Sequence, residues 1–154
     1  MKKSAEPTIH ISVAAQELTL KAGRKKLAAY AVSTSGFGLG TKEGSMKTPT
    51  GRFRIAEKIG EDMPVGTIFK SRRPVKATKK LLRDGDLIMT RILWLEGVEA
   101  ANANTYDRFI YIHGTNHEEQ IGERASHGCI RMRNADVAAL FEQVRIGTPV
   151  VIKA

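Results

Sequence analysis

The sequence predicts a mainly β domain, built as a mixed sandwich or barrel, with one clear helix near the C-terminus. Several short segments alternate apolar and polar residues, as half-buried strands do. Glycine- and proline-containing turns separate these segments, whereas only one stretch has the 3.6-residue period of an amphipathic helix. The 154 residues contain no internal repeat and are enough for one domain with a sizeable core.

Alternation or apolar character predicts the individual strands. In the first half of the chain the predicted strands are 9–13, 17–21, 26–33 and 52–56. A glycine-rich loop with a turn at 48–51 precedes the last of these. In the second half they are 87–95, which is the most apolar run, 109–112, which places His113 at its end, and 150–152.

The helix prediction depends on one apolar face and on its end signals. Asn134 is a good N-cap residue, and Asp136 in the first turn suits the positive end of the helix dipole. Gly147 and Pro149 predict the end of the helix. The spacing i, i+3, i+4, i+7 is occupied by Val137, Leu140, Phe141 and Val144.

Residues 57–85 have no clear periodicity and contain a cluster of basic side chains. The simpler interpretation is a solvated excursion, and the alternative is a mobile cover over a substrate groove. Residues 100–105 are polar and predict a loop.

The composition favours an anionic partner without defining it. The net charge is +9 and the isoelectric point is about 9.9. Such a charge suits nucleic acid, an acidic polymer or a carboxylate-rich substrate, and it also serves solubility. The basic residues are spread along the chain, without an RNA-binding aromatic signature or zinc-finger spacing, so no nucleic acid partner is expected.

The N-terminal residues 1–7 predict a tail. They are not followed by the apolar stretch of a signal peptide, and no run approaches the length of a transmembrane helix. We therefore expect no transmembrane segment, and either a cytoplasmic location or an export signal absent from this chain.

Reactive side chains cluster around the single cysteine. Three of the four histidines lie between residues 113 and 127, and Cys129 follows. A thiol needs a nearby base to become a nucleophile at neutral pH. His127 could share a face with Cys129 in an extended segment, and His113 could approach it from a neighbouring strand. Gly128 permits close approach of a substrate, and the N–H groups around Cys129 could form an oxyanion hole.

Two other interpretations of this cluster remain open at this point. Cys129 could be a buried structural residue next to a hydrogen-bonded histidine. Zinc could bind His113, His117, His127 and Cys129, since it accepts both ligand types. The pair His113 and His117 lacks the glutamate of a metalloprotease helix, and Gly114 between them disfavours a helix. We therefore predict no metal site.

Two motifs together resemble the L,D-transpeptidase catalytic domain (the YkuD-like family). They are Ile-His-Gly-Thr-Asn at 112–116 and Ser-His-Gly-Cys-Ile-Arg at 126–131. Further matching segments occur in the expected order at 16–18, 31–36, 47–53, 134–137 and 147–152. The resemblance covers nearly the whole chain, and it implies that residues 8–154 form a domain with the mixed β fold of that family.

The resemblance also implies roles for individual residues. Cys129 matches the nucleophile, and His113 matches the general base, which the carbonyl group of Gly114 orients. His127 and Gly128 match residues that help form the oxyanion site, and Ser126 opens the motif. Many members of the family have asparagine where this chain has Arg131, so the substrate preference is less directly implied than the chemistry.

The implied reaction is cysteine-dependent acyl transfer on peptidoglycan stem peptides, without a cofactor, and it crosslinks the cell wall. Arg124, Arg131 and Arg133 could hold substrate carboxylates, or serve solubility at the surface. Carbapenem-type β-lactams are the implied covalent inhibitors, and the periplasm or cell envelope is the implied location. An L,D-carboxypeptidase would use the same residues, and a non-catalytic module that binds cell wall is a third alternative.

Overall fold

The computed structural model describes residues 5–83 and 85–154. Residues 1–4 of the predicted tail and Asp84 of the segment 57–85 lie outside this description. The ten strands and two α-helices of the described part are β1 (Pro7–Ser12), β2 (Glu17–Ala22), β3 (Lys25–Ser33), β4 (Gly51–Ile59), β5 (Ile68–Lys70), β6 (Arg73–Val75), α1 (Lys79–Arg83), β7 (Ile88–Gly97), β8 (Tyr111–Gly114), β9 (Ile130–Met132), α2 (Asn134–Gln143) and β10 (Pro149–Lys153).

Eight of the strands close into a mixed barrel. They follow the order β4-β10-β1-β2-β3-β9-β8-β7, and β4 also pairs with β7. Two of the pairings, β1 with β10 and β8 with β9, are parallel, and the others around the barrel are antiparallel. The hairpin β5–β6 extends the sheet beyond β7. This architecture confirms the predicted mainly β fold.

Alternation along the strands separates two apolar clusters. Leu93 and Leu95 of β7 and Ile112 of β8 belong to the main core. Ile92 and Trp94, the intervening residues of β7, belong to a second cluster with Phe69 and Tyr111. Successive strand residues face opposite sides, so β7 and β8 are apolar on both faces. We call this second group, Phe69, Ile92, Trp94 and Tyr111, the outer cluster.

Helix α2 was predicted correctly, but both of its ends differ from the prediction. Asn134 is not the N-cap, because Arg133 has the extended backbone of that position and Asn134 is the first helical residue. The Asn134 side chain instead accepts from Thr90 Oγ1 and donates to the Thr115 carbonyl group. Glu118 replaces it at the helix terminus, since Glu118 Oε2 accepts from the Asn134 N–H at 2.8 Å.

The C-terminal end of α2 is fixed to the barrel by Lys58 of β4. The helix ends at Gln143, before the predicted stop at Gly147. Lys58 Nζ donates to the carbonyl groups of Phe141 and Val144, both at 2.7 Å. The same ammonium group lies 4.1 Å from the centre of the Phe141 ring.

The segment 57–85 is more ordered than a solvated excursion. β4 continues to Ile59, and the hairpin β5–β6 pairs with β7. Phe69 is buried in the outer cluster, although most of the hairpin tip is exposed. β5 and β6 were not predicted, because three residues are too few to show an alternating pattern.

Three smaller differences concern element ends. β1 begins at Pro7, inside the predicted tail, and β8 begins at Tyr111, so that His113 lies within the strand. The predicted loop 100–105 contains a short 3-10 turn, Ala100–Asn102, and a second follows at Tyr106–Arg108.

None of the helices in the described part of the chain is long and apolar enough to cross a membrane.

Candidate active site

Cys129 lies directly before β9, beside the start of β8. Its Sγ atom accepts from the Tyr111 N–H at 3.3 Å and donates to the Phe109 carbonyl group at 3.3 Å. The side chain is half-buried against the outer cluster. The thiol is therefore held by the backbone of the neighbouring strand.

The register of β8 and β9 places His113 on the same face as Cys129. His113 pairs with Arg131 in the parallel ladder, and Cys129 precedes Arg131 by two residues. Paired residues in neighbouring strands share a face, and so do residues two apart in one strand. Cys129 itself lies in the bend before β9, but its side chain packs against the outer cluster with Tyr111, which is two residues from His113 in β8. Cys129 and His113 therefore lie on the same face. Ile112 and Ile130 point to the opposite face, into the main core.

A backbone carbonyl group fixes the His113 ring. His113 Nδ1 lies 2.5 Å from the carbonyl oxygen of Gly114. A carbonyl oxygen only accepts, so Nδ1 carries the proton and Nε2 has the free lone pair. Burial lowers the pKa of His113, and the hydrogen bond to Gly114 and the charge of Asp86 offset this only in part. The imidazole is therefore neutral at neutral pH.

The Cys129 thiol is also neutral in the resting protein. Burial raises the pKa of Cys129 to about 11, although the hydrogen bond from Tyr111 N–H acts in the opposite direction. The thiol and the imidazole therefore rest uncharged.

Asp86 connects two residues of the motifs, Arg131 and His127. Its Oδ2 atom lies 2.8 Å from Arg131 Nη2 and 3.2 Å from His127 Nδ1. Burial acts to raise the pKa of Asp86, but its hydrogen bond with Arg131, the charges of Arg131 and His113 and the hydrogen bond with His127 together lower it. Asp86 is therefore ionised at neutral pH and partners the Arg131 guanidinium.

The three predicted substrate-binding arginines differ in position. Arg131 is only 2% exposed, and its guanidinium also donates to Gln120 Oε1 at 2.7 Å. It is thus an internal partner of Asp86 rather than a surface group. Arg124 and Arg133 are exposed, and Arg133 is the N-cap residue of α2.

The loop 126–129 is tied to distant parts of the chain. Ser126 Oγ donates to the Cys129 carbonyl group at 2.6 Å and accepts from the Gly128 N–H at 3.3 Å. Thr48 Oγ1 donates to the Gly128 carbonyl group at 2.9 Å. Gly128 has a φ of +122°, a conformation that side chains rarely adopt. These contacts fix the backbone around the thiol.

A cleft of about 310 Å³ opens beside Cys129 and His127. Its walls include Glu43 and Asp107, so carboxylates line part of it. Arg108 also borders it and donates to the Lys47 carbonyl group at 2.8 Å, which holds the loop 36–50 against the site.

Sequence reasoning missed Asp86 and Arg108. The charge of Arg108 acts to lower the pKa of Cys129, so it lies near the thiol. Neither residue belongs to a motif, and both come from segments whose path depends on tertiary packing. A carboxylate within a strongly basic stretch was the only available signal for Asp86.

The structure does not arrange the histidines as a metal site in the described part of the chain. His117 Nε2 lies 3.0 Å from the Gly85 carbonyl oxygen, and Nδ1 lies 3.4 Å from Glu119. No three His, Cys, Asp or Glu side chains among residues 5–83 and 85–154 form a group that could hold a metal ion.

The comparisons with known proteins agree in one family. The family model "YkuD: L,D-transpeptidase catalytic domain" matches residues 6–152. The chain therefore belongs to the L,D-transpeptidase catalytic domain family, as its motifs indicated.

Individual relatives match over shorter stretches or at low identity. The chain is 56% identical over 43 residues to "Probable L,D-transpeptidase YbiS" of Escherichia coli K12, which is 28% of this chain and 14% of that protein. An L,D-transpeptidase structure from Mycobacterium smegmatis has a TM-score of 0.64 at 18% identity, over 97% of this chain and 59% of that one.

A second solved structure carries a bound inhibitor. L,D-transpeptidase 3 from Mycobacterium tuberculosis, in complex with a faropenem-derived adduct, has a TM-score of 0.64 at 18% identity. The match covers 98% of this chain and 61% of that chain. The present chain thus spans less than two thirds of these structures, and at such identities the likeness shows the fold.

Proposed function

We propose that this chain is a cysteine-dependent acyltransferase that crosslinks peptidoglycan stem peptides by L,D-transpeptidation. The observation that supports this most directly is the shared face of Cys129 and His113, with His113 Nδ1 held by the Gly114 carbonyl group. That hydrogen bond leaves Nε2 free to accept a proton, as a general base requires.

The first step forms a thioester. Cys129 Sγ attacks the carbonyl carbon of the bond between the diamino acid and the terminal D-residue, while His113 Nε2 takes the thiol proton. The tetrahedral intermediate then breaks its C–N bond, and His113 returns the proton to the departing amine of the D-residue. Because Cys129 starts as a neutral thiol, proton transfer must accompany the attack.

The second step regenerates the thiol. An amine of another stem peptide attacks the thioester, the C–S bond breaks, and the proton lost by the amine returns to Sγ through His113. Glu43 and Asp107 line the cleft beside Cys129 together with Arg108, so two carboxylates face one guanidinium there, and the excess negative charge favours an amine. This feature favours transfer over hydrolysis, in which water would replace the amine.

The surrounding residues have supporting roles in the proposal. The Gly128 N–H is engaged by Ser126, so we assign the Cys129 N–H as an oxyanion donor. Asp86 fixes His127 at the edge of the cleft, where the His127 side chain remains 54% exposed and free to contact the substrate. Arg124 and Arg133 are the exposed arginines that remain available for substrate carboxylates.

The location follows from the substrate. L,D-transpeptidases act on cell-wall peptidoglycan, so we propose that the chain works in the periplasm or cell envelope.

Incubation with a purified disaccharide-tetrapeptide tests the proposal, with the products read by mass spectrometry. We expect loss of the terminal D-residue together with a crosslinked dimer. Loss of the D-residue without a dimer would identify a carboxypeptidase. If the wild-type protein leaves the tetrapeptide intact, the proposed function is wrong.

A β-lactam adduct tests the nucleophile separately. A carbapenem is expected to add one molecule to the wild-type protein and none to Cys129→Ala, as read by intact mass. The adduct seen in the faropenem complex of the mycobacterial protein makes this reaction a reasonable test. His10→Asn is the control, because His10 lies on β1, where its ring bonds Thr8. An adduct on Cys129→Ala would place the nucleophile elsewhere.

A further inference from the structure

Arg72 stands at the tip of the β5–β6 hairpin, close to the candidate active site. Lys70 pairs with Arg73, so Ser71 and Arg72 form a two-residue loop. Both have positive φ, 50° for Ser71 and 65° for Arg72. Two-residue hairpins with this geometry favour asparagine and glycine, because other side chains are strained there. The hairpin thus holds a long cationic residue where a small one would be more stable.

The Arg72 guanidinium lies over aromatic residues that adjoin Cys129. Its Cζ atom is 5.2 Å from the centre of the Trp94 ring and 5.5 Å from that of Phe109, and Nη1 donates to the Tyr111 hydroxyl group at 3.4 Å. We call Trp94, Phe109 and Tyr111 the aromatic platform. Cation–π contacts of this kind orient a guanidinium and leave its other N–H groups exposed.

The guanidinium has no carboxylate partner in the part of the chain that the structure describes. The ion pairs found among residues 5–83 and 85–154 do not include Arg72. The nearby carboxylate of Glu57 instead accepts from the Tyr106 hydroxyl group. Arg72 is exposed, so its N–H donors face solvent.

The platform connects Arg72 to the thiol. Tyr111 N–H donates to Cys129 Sγ, and the Phe109 carbonyl group accepts from it. The side chains of these same two residues support the guanidinium. An anion bound by Arg72 would therefore lie at the outer ends of the Phe109 and Tyr111 side chains, whose backbone groups bond the sulfur. The cleft with Glu43 and Asp107 is lined by Phe109, but not by Trp94, Tyr111 or Arg72.

We propose that Arg72 binds a carboxylate of the donor stem peptide, the one cleaved by Cys129. This proposal rests on the proposed function and deepens it, by giving the two substrates sites of opposite charge. The donor, which carries carboxylates, lies against Arg72 and the aromatic platform. The acceptor amine enters the cleft lined by Glu43 and Asp107. A guanidinium can bind a carboxylate through two parallel N–H donors, which fixes its orientation.

The test compares donors that differ in one charge. Synthetic tetrapeptides are prepared in which each carboxyl group in turn is replaced by its primary amide, and release of the D-residue is measured. We expect the wild-type protein to prefer the free carboxylate at one position by about tenfold in kcat/KM, the size of a charge-assisted hydrogen bond at an exposed site. In Arg72→Gln this preference should disappear, while activity on the matching amide changes less than about twofold.

Arg73→Gln is the matched control, because Arg73 is the next residue of the same hairpin and is also exposed. It should keep the full preference. The rate at which uncharged iodoacetamide alkylates Cys129 should be equal in all three proteins, which confirms an intact thiol site.

Two failures are distinguishable. If the wild-type protein releases no D-residue from any donor, the proposed function is wrong. If the wild-type protein releases the D-residue, and Arg72→Gln discriminates among the donors as the wild-type protein does, the assignment of Arg72 is overturned. Loss of activity in Arg72→Gln that is equal for acid and amide donors would also overturn it, because a structural role predicts that result.

Discussion

At the scale of single residues, the two reacting groups rest in their neutral forms. The buried Cys129 thiol has its pKa raised to about 11, and burial lowers the pKa of His113. Each shift disfavours the charged form. The pair therefore differs from a preformed thiolate–imidazolium, and a substrate must be in place before the proton moves productively.

The reactivity of the free thiol should show this directly. Because only the thiolate reacts, alkylation of Cys129 by iodoacetamide should accelerate about tenfold per pH unit from pH 7 to 10. A small thiol with a pKa of about 8.5 should instead level off above about pH 9.5. The rate is followed by intact mass, with Cys129→Ser as the blank. A plateau that begins near neutral pH would mean that the thiolate is already formed at rest.

Motifs predicted the proposed nucleophile and base, but they did not predict Asp86, which connects Arg131 with His127. Cys129 and His113 belong to short patterns that can be recognised in the sequence. Asp86 belongs to none, because its partners Arg131 and His127 follow it by more than 40 positions along the chain. Arg131 was expected to hold a substrate carboxylate or to serve solubility, because no pattern in the sequence indicates that Asp86 meets it in the interior.

At the scale of elements, Asp86 and Arg131 form the polar connection between β9 and the segment before β7. The Arg131 guanidinium is buried, so removing its partner leaves an uncompensated charge. Asp86→Asn should therefore lower the free energy of unfolding by about 3 kcal/mol at pH 7. Urea unfolding measures this. Glu61→Gln, in an exposed turn, should change it by less than about 0.5 kcal/mol.

The Asp86 contribution should depend on pH in one direction. The pKa of Asp86 is lower in the folded state than in the unfolded state, where it is about 4. Asp86 therefore stabilises the fold fully above about pH 4. This stabilisation is lost as the pH falls through the lower pKa that Asp86 has in the folded state. The difference in stability between wild type and Asp86→Asn should therefore shrink below about pH 4. A difference that grows on acidification would contradict the assignment.

Gly114 shows how tightly β8 is packed against its neighbours. A Cβ atom there would lie 2.2 Å from Asn134 Oδ1 and 2.7 Å from the Met89 carbonyl oxygen. Since the latter is backbone, Gly114→Ala must displace β7 or β8 and should destabilise the fold by roughly 1–3 kcal/mol. It should also slow acylation by shifting the carbonyl group that holds His113.

Gly40→Ala is the matched control for Gly114→Ala. Its added Cβ would meet only the side chain of Lys47, at 3.0 Å, which can move aside. Thermal unfolding and the rate of carbapenem acylation measure both variants. Equal stability in the two proteins would show that β8 is more adaptable than its contacts indicate.

Alternation predicted long strands well and short ones poorly. The predicted ends of β2 and β3 lie within one residue of the observed ends, because both strands have an alternating polar and apolar pattern. β5, β6 and β9 have three residues each, too few to establish a period. The N-cap of α2 was predicted wrongly, because the Asn134 side chain forms hydrogen bonds with Thr90 and Thr115 and not with the N-terminal N–H groups of its own helix.

At the scale of the whole molecule, Lys58 joins α2 to the barrel wall. Its ammonium group donates to two carbonyl groups at the end of the helix, where the dipole is negative. Lys58→Met keeps most of the side-chain volume and leaves these carbonyl groups without their charged donor. We expect a loss of about 1.5–3 kcal/mol in the free energy of unfolding, measured by urea titration. Lys25→Met, at an exposed strand end, should have little effect, and an equal loss there would exclude a specific role for Lys58.

The closed barrel could not be derived from the alternation alone. Alternation indicates which face of a strand is buried, but not which strand lies beside it. The parallel pairing of β1 with β10 joins segments near opposite ends of the described chain, as Ile9 with Val150 illustrates. The barrel was predicted from the resemblance of the motifs to a known family and not from any local pattern in the sequence.

The position of β10 between β1 and β4 has a consequence for how the molecule reaches its folded state. β10 follows the other nine strands in the sequence, yet it separates two of the first four. Until β10 inserts, β1 and β4 each have one edge of unpaired backbone groups, which other chains can pair with. The molecule is therefore most prone to self-association before its final strand is in place, and protection from aggregation depends on residues far from the catalytic centre.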